Sequence, residues 1–228
     1  NRDPDEFVDV FSAIPADKIA GLRTADFTKM YTQLPHEDLI ASIDEAIDDV
    51  AKILQKRFLL DSVHAARSQL VFENSPDAAW RLYHPGEFDH GNHVTLDFIA
   101  AAVRVIVGNC FICLGGGIFL QLIGIPMGNE ASPPISTLHL YVKEKHFVNR
   151  LVAELGEEAV KQQFFGFKFN LRYIDDCISP KFVNERGYPT LDDYGMEFSV
   201  VGDGDSVCYL GIQTTIDRVN NSIVFKAF

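Results

Sequence analysis

The chain has 228 residues, 47% hydrophobic and 23% charged, the composition of a folded globular protein with a sizeable core. Its formal charge of −12 at pH 7 argues against a general affinity for nucleic acid, because phosphate binding relies on clustered Lys and Arg. No apolar run suffices to span a bilayer: "FIAAAVRVIVGNCFICLGGGIFLQLIGI" comes nearest, and Arg104, Asn109 and a triple glycine interrupt it.

The chain opens on Asn1 with no signal-peptide pattern, as expected of a processed or excised fragment. Residues 1–20 carry a short apolar patch, "FVDVFSAIPADKIAGL", read as one irregular helix. "LRTADFTKMY" is β-like in its first half and ends in a turn. From Pro35 to about Leu60 the spacing predicts a long amphipathic helix. Leu39, Ile43, Ile47, Val50 and Leu54 form its apolar stripe, and Asp44, Glu45, Asp48, Asp49 and Lys52 take the solvated face. Pro35 suits its first turn. Residues 61–93 are turn-rich and predict short strands or a connection. His84, His90 and His93 gather there with Glu87 and Asp89, but their spacing matches no ligand pattern sharing one face, and a polar loop is expected. His36 is expected to pack or cap.

A second helix runs from Thr95, a suitable cap, to Val107 and stops at "GN". "NCFICLGGGIFLQLIGI" reads as strand, glycine turn, strand. Its C-x-x-C, Cys110 and Cys113, would place thiols on opposite strand faces, so buried apolar cysteine is expected rather than a metal site. Four cysteines make no disulfide framework in a chain this long and point to a reducing compartment. A third helix is predicted from about Ile135 to Leu155, then two short strands over residues 164–179. The tail "DDYGMEFSVVGDGDSVCYLGIQTTIDRVNNSIVFKAF" closes in β hairpins with "RVNN" as a turn. The order is α+β, helices against an antiparallel sheet.

"LRYIDDCI" places Asp175 and Asp176 among apolar and aromatic neighbours. Unpaired charge is costly to bury and Asp is disfavoured in strands, so either a turn exposes the pair or a cation is expected there. Adjacent carboxylates projected from a hairpin are hard ligands suited to Mg2+, and a third acid on a neighbouring strand would complete a two-metal cage. Asp26 in "TADFTKMY" is the candidate. Taken singly, each has a plainer reading: a solvated turn for Asp175–Asp176, a cap or turn for Asp26 and core packing for Tyr31.

"ADFTKMYTQLPH", "GIPMGNEASPPIS" and "LRYIDD", in this order, resemble motifs A, B and C of reverse transcriptase palm domains. The "IPMG…P" and "YTQLPH" forms look most like the branch that includes Penelope-like elements, and "VCYLGIQTTI" is similar to the primer-grip hairpin. The resemblance covers about Leu22 to Phe228, with residues 1–21 as an N-terminal remnant leading into the palm. It implies a polymerase palm, an antiparallel sheet with helices packed on one face. It also implies an RNA-directed DNA polymerase using two Mg2+ ions, with Mn2+ as a substitute. Asp26 and Asp175 would bind both metals, Asp176 would support them, and the Phe27 carbonyl would help hold the nucleotide-side ion. Tyr31 matches the steric gate. Pro126, Met127, Gly128 and Asn129 would lie against the incoming deoxynucleoside triphosphate. Tyr173, Tyr209, Leu210 and Gly211 would meet the primer.

The resemblance has departures. Met127 stands where many reverse transcriptases have Gln, which removes a hydrogen bond. The basic fingers and thumb are expected to be largely absent, which accounts for the acidic balance. Implied partners are an RNA template, a DNA primer and other domains or subunits, with no membrane, in an intracellular setting that includes the nucleus. A reverse-transcriptase-derived structural subunit is the alternative. An RNA-dependent RNA polymerase fits less well with Tyr31 and Y-x-D-D in place of G-D-D.

Overall fold

The computed structural model describes residues 4–27, 29–69, 71–74, 80–83, 93–163, 169–182, 191–197 and 199–227. Helix α1 (Pro4–Ser12) and a 3-10 turn (Ala16–Lys18) lead into strand β1 (Ile19–Asp26) and helix α2 (Met30–Gln33). Helices α3 (His36–Phe58) and α4 (Val63–Gln69) precede strands β2 (Val71–Asn74), β3 (Trp80–Tyr83) and β4 (His93–Thr95). Helix α5 (Leu96–Gly108), the hairpin β5 (Phe111–Leu114) and β6 (Gly117–Leu120), and helix α6 (Ser132–Leu155) follow. Helix α7 (Glu157–Gln163), strands β7 (Leu171–Tyr173) and β8 (Asp176–Phe182) and helix α8 (Leu191–Tyr194) come next. Strands β9 (Ser199–Gly204), β10 (Ser206–Tyr209), β11 (Ile212–Asp217) and β12 (Ser222–Ala227) end the chain. Two compact units result, residues 1–30 with 143–228, and residues 31–142. The α+β class with antiparallel sheets and packed helices is the one expected.

In the first unit a four-stranded antiparallel sheet has the order β7-β8-β1-β9, and β10-β11-β12 form a second sheet. β1 is central because Ile19 and Leu22 leave no surface for water to reach. The segment expected as a remnant is part of this core. Phe7 packs on Phe11 at 4.9 Å and on Tyr209 at 5.1 Å between ring centroids, beside Leu22, Ile178, Ile216 and Ile223. Arg218, in the β11–β12 turn, donates to the carbonyls of Ala16 (3.2 Å), Ile19 (2.7 Å) and Ala20 (3.3 Å), and to Asp205. The "RVNN" turn is as expected, with Asn221 in the left-handed region.

In the second unit α3 packs against α4 and α5 through Leu39, Ile43, Ala46, Ile47 and Ala51. Val50, expected in this stripe, is 41% exposed. The packed face of the helix runs instead through the buried Ala46 and Ala51. The acidic face is not merely solvated: Arg67 pairs with Asp48 (2.6 Å) and Asp97 (2.7 Å), and Arg104 pairs with Asp44. Sequence patterning missed α4, one of whose residues is Arg67. The Thr95 hydroxyl accepts from the Phe98 N–H at 3.1 Å, the cap expected of it. β2 pairs antiparallel with β3 and β4, and the His84, His90, Glu87 and Asp89 loop lies outside the described residues. Gly115 and Gly116, at φ 58° and 81°, make the β5–β6 turn.

The β5–β6 hairpin differs from expectation in its surroundings. Phe111, Ile112, Leu114, Ile118 and Phe119 are all exposed, as is Cys113, and Cys110 is half-buried. Apolar composition alone had suggested burial; among the described residues no other helix or strand packs extensively on this two-stranded ribbon, so its side chains stay exposed.

Candidate active site

β1 and β8 pair antiparallel with Ala25 opposite Cys177 and Asp26 opposite Asp176. Directly opposed residues point to the same face with Cβ atoms about 5 Å apart, and like charges so placed destabilise a sheet. β8 also pairs with β7, Tyr173 opposite Asp176, leaving Ile174 and Asp175 as the two turn residues. Ile174 holds φ 58°. A positive φ at the first central position of such a turn is a glycine's conformation, and a β-branched residue there is strained. Asp175 projects from that turn, and Asp26 and Asp176 come from the adjoining strand ends.

Electrostatics show that the three acids feel one another. Partial burial, then the Asp175 charge, hold Asp26 above its usual 3.8, against one hydrogen bond from the Phe27 N–H. Asp176 is also held above 3.8, by burial, then by Asp175 and Asp26. Among the described residues no Lys, Arg or His forms an ion pair with any of the three. Carboxylate oxygens with no competing cation are the donor set a hard divalent ion requires. Among the described residues, however, no group of three or more His, Cys, Asp or Glu side chains is placed to hold a metal ion. In this conformation the carboxylates are neighbours rather than a closed cage.

The remaining expected residues fall in distinct settings. Phe27 is buried, and its carbonyl accepts from the Met30 N–H at 3.2 Å. Tyr173 is half-exposed. Tyr209, expected at the primer, is 4% exposed with its ring in the core, and burial pushes its phenol well above the usual value. Of the expected positions on that hairpin, Gly211 is exposed and Leu210 half-buried, and the two form its turn at φ 76° and 49°.

In the second unit, the Tyr31 carbonyl accepts from the Ile125 N–H at 3.1 Å, and Gly124 N–H donates to Leu34 at 2.7 Å. Gly124 was not singled out from sequence, yet a Cβ there would meet the Tyr31 carbonyl oxygen at 2.2 Å, and its φ is 89°. His36 Nε2 lies 2.9 Å from the Gly124 carbonyl, a packing role as expected. Pro126 is buried and its carbonyl accepts from the Ser132 hydroxyl; the Asn129 side chain caps Ala131 N–H at 2.8 Å. Met127 is 74% exposed, and Gly128, at φ 82°, has open space beside it. Tyr31, Ile125 and Met127 line a mostly apolar groove of about 560 Å3 with Phe111, Ile112 and Ile123.

No family model matches the chain, and no curated protein matches it. Among solved structures, telomerase from Candida albicans in complex with a TWJ fragment of telomeric RNA is similar at 13% identity and a TM-score of 0.50, over 96% of this chain. This chain spans 33% of that telomerase chain. Identity so low shows the fold alone: a polymerase-like α+β fold shared with a reverse-transcriptase-related enzyme. Nothing in that likeness selects the Penelope-like branch.

Proposed function

We propose that the chain carries the palm of an RNA-directed DNA polymerase, which transfers nucleotides to a primer 3′-hydroxyl by a two-metal mechanism. The observation that supports this most is the register setting Asp26 opposite Asp176 beside the strained Asp175 turn. A sheet gains nothing from like charges there; a bound cation gives them a use.

Asp26, Asp175 and Asp176, with the Phe27 carbonyl, are the groups that would hold Mg2+ or Mn2+. When bound, the ions would activate the primer hydroxyl and neutralise the departing pyrophosphate. The chain's own residues contribute positioning, the main requirement of phosphoryl transfer. The backbone at Pro126–Asn129, fixed by Ser132 and the Asn129 cap, would present a rigid edge to a deoxynucleoside triphosphate. The open side of Gly128 admits close approach. Tyr31 would exclude a ribose 2′-hydroxyl, while Tyr173 and the Leu210–Gly211 turn would support the primer.

The telomerase that shares the fold was solved with telomeric RNA, which supports nucleic acid as the partner class. With a net charge of −12, contacts to template and primer phosphates fall to basic surfaces of other domains or subunits.

Primer extension on an RNA template by the full-length protein tests the reading. Asp175→Asn is expected to lower the rate on the order of 100- to 1,000-fold while the protein stays folded. Unchanged extension would end the assignment. The acidic balance favours a second reading, a reverse-transcriptase-derived structural subunit, which predicts no extension by the wild type.

A further inference from the structure

Side chains from distant parts of the sequence meet behind the Ile174–Asp175 turn. The Arg172 side chain is 10% exposed and faces Glu144, whose side chain is 19% exposed. The guanidinium donates through Nε to Glu144 Oε1 at 3.1 Å and through Nη2 to Oε2 at 3.5 Å, the two-pronged geometry that suits Arg to a carboxylate. Its third nitrogen, Nη1, donates to the Ile174 carbonyl at 3.2 Å. Tyr194 donates its hydroxyl to Glu144 Oε1 at 3.3 Å. The Tyr194 ring stands edge-on to Phe27, with centroids 4.7 Å apart at 80°. Ile174 precedes Asp175 and Phe27 follows Asp26, so the chain of contacts joins the two acid-bearing segments.

A largely buried ion pair is a poor source of stability, because desolvation offsets most of its attraction. What this one supplies is direction. A planar fork clamped on Glu144 aims its Nη1 at the carbonyl of a residue held at φ 58°, and strain of that kind persists only where surroundings over-determine it. The same carboxylate is held by Tyr194, whose ring fixes the residue next to Asp26.

We propose that Glu144, Arg172 and Tyr194 form a brace that sets the separation of Asp26 and Asp175 for cation binding. The inference rests on the metal-binding reading of those acids. None of the three touches substrate; they are positioning residues, comparable to the outer partners that orient metal ligands.

Arg172→Ala would strand Glu144 and report on folding alone. Arg172→Lys keeps the charge but loses the fork, and Tyr194→Phe removes only the hydroxyl bond. The probe is Mn2+, with the free ion followed by electron paramagnetic resonance and thermal unfolding recorded on the same samples. The brace predicts Mn2+ affinity about tenfold weaker in Arg172→Lys, and a smaller loss in Tyr194→Phe with its melting temperature unmoved. Affinity unchanged in both variants, or lost only in proportion to the unfolded fraction, overturns the brace and leaves the polymerase reading standing. A wild-type protein that binds no Mn2+ at millimolar concentration overturns both.

Discussion

Two segments, one from each unit, solve the same backbone problem in opposite ways. In the second, every left-handed position around the β5–β6 hairpin and the "GIPMG" segment is a glycine: Gly115, Gly116, Gly124 and Gly128. In the first, the Ile174–Asp175 turn places a β-branched residue at φ 58° immediately before two acids that repel. One segment is relaxed at these glycines, apolar and uncharged along its groove. The other stores strain and charge at a single sheet end, and protein families tolerate such storage mainly where it serves binding or chemistry.

Exchanging the two solutions tests the contrast. Gly124→Ala has the largest expected effect, since its Cβ would overlap the Tyr31 carbonyl; thermal unfolding should show a loss of about 3 kcal/mol. A loss below about 1 kcal/mol would mean that the segment yields easily, and that Gly124 does not fix it.

The mirror experiment, Ile174→Gly, should stabilise the first unit by about 1 kcal/mol as strain is released. A destabilised variant would show that the Ile174 side chain, and not its backbone conformation, is what the turn needs.

The smallest effect concerns charge. Asp26 and Asp176 bind protons more tightly in the folded chain than in the unfolded one, because burial and Asp175 raise both above 3.8. Stability therefore falls as pH climbs from 3.8 through the raised values, and the full cost is present at neutral pH. Asp175→Asn removes part of that cost. Urea titration at pH 7 should show a gain of about 0.2–1 kcal/mol, shrinking as pH falls toward 3.8. A gain independent of pH would trace to something other than repulsion.

The charged end was legible in the sequence because two acids inside "LRYIDDCI" contradict their neighbours, and such contradictions are local. α3 was legible for a similar reason: its stripe repeats within one segment, and only Val50 departed from it. The brace was not legible. Arg172 lies 28 residues from Glu144, and Tyr194 lies 50 from it, so no window of sequence contains the pairing. The exposed hairpin misled because a continuous apolar run signals burial whether or not a covering layer exists, and the cysteines followed it. Helix α4 is seven residues long, too short for a period to declare itself.

Arg218 ties the final hairpin to the carbonyls at 16, 19 and 20, and its consequence concerns the order of synthesis. Residues 31–142 emerge as one uninterrupted stretch and can settle as soon as they leave the ribosome. Strand β1 is made before them but receives its latch only after residue 218 appears, so the strand carrying Asp26 is translated ahead of that stretch and secured only after it.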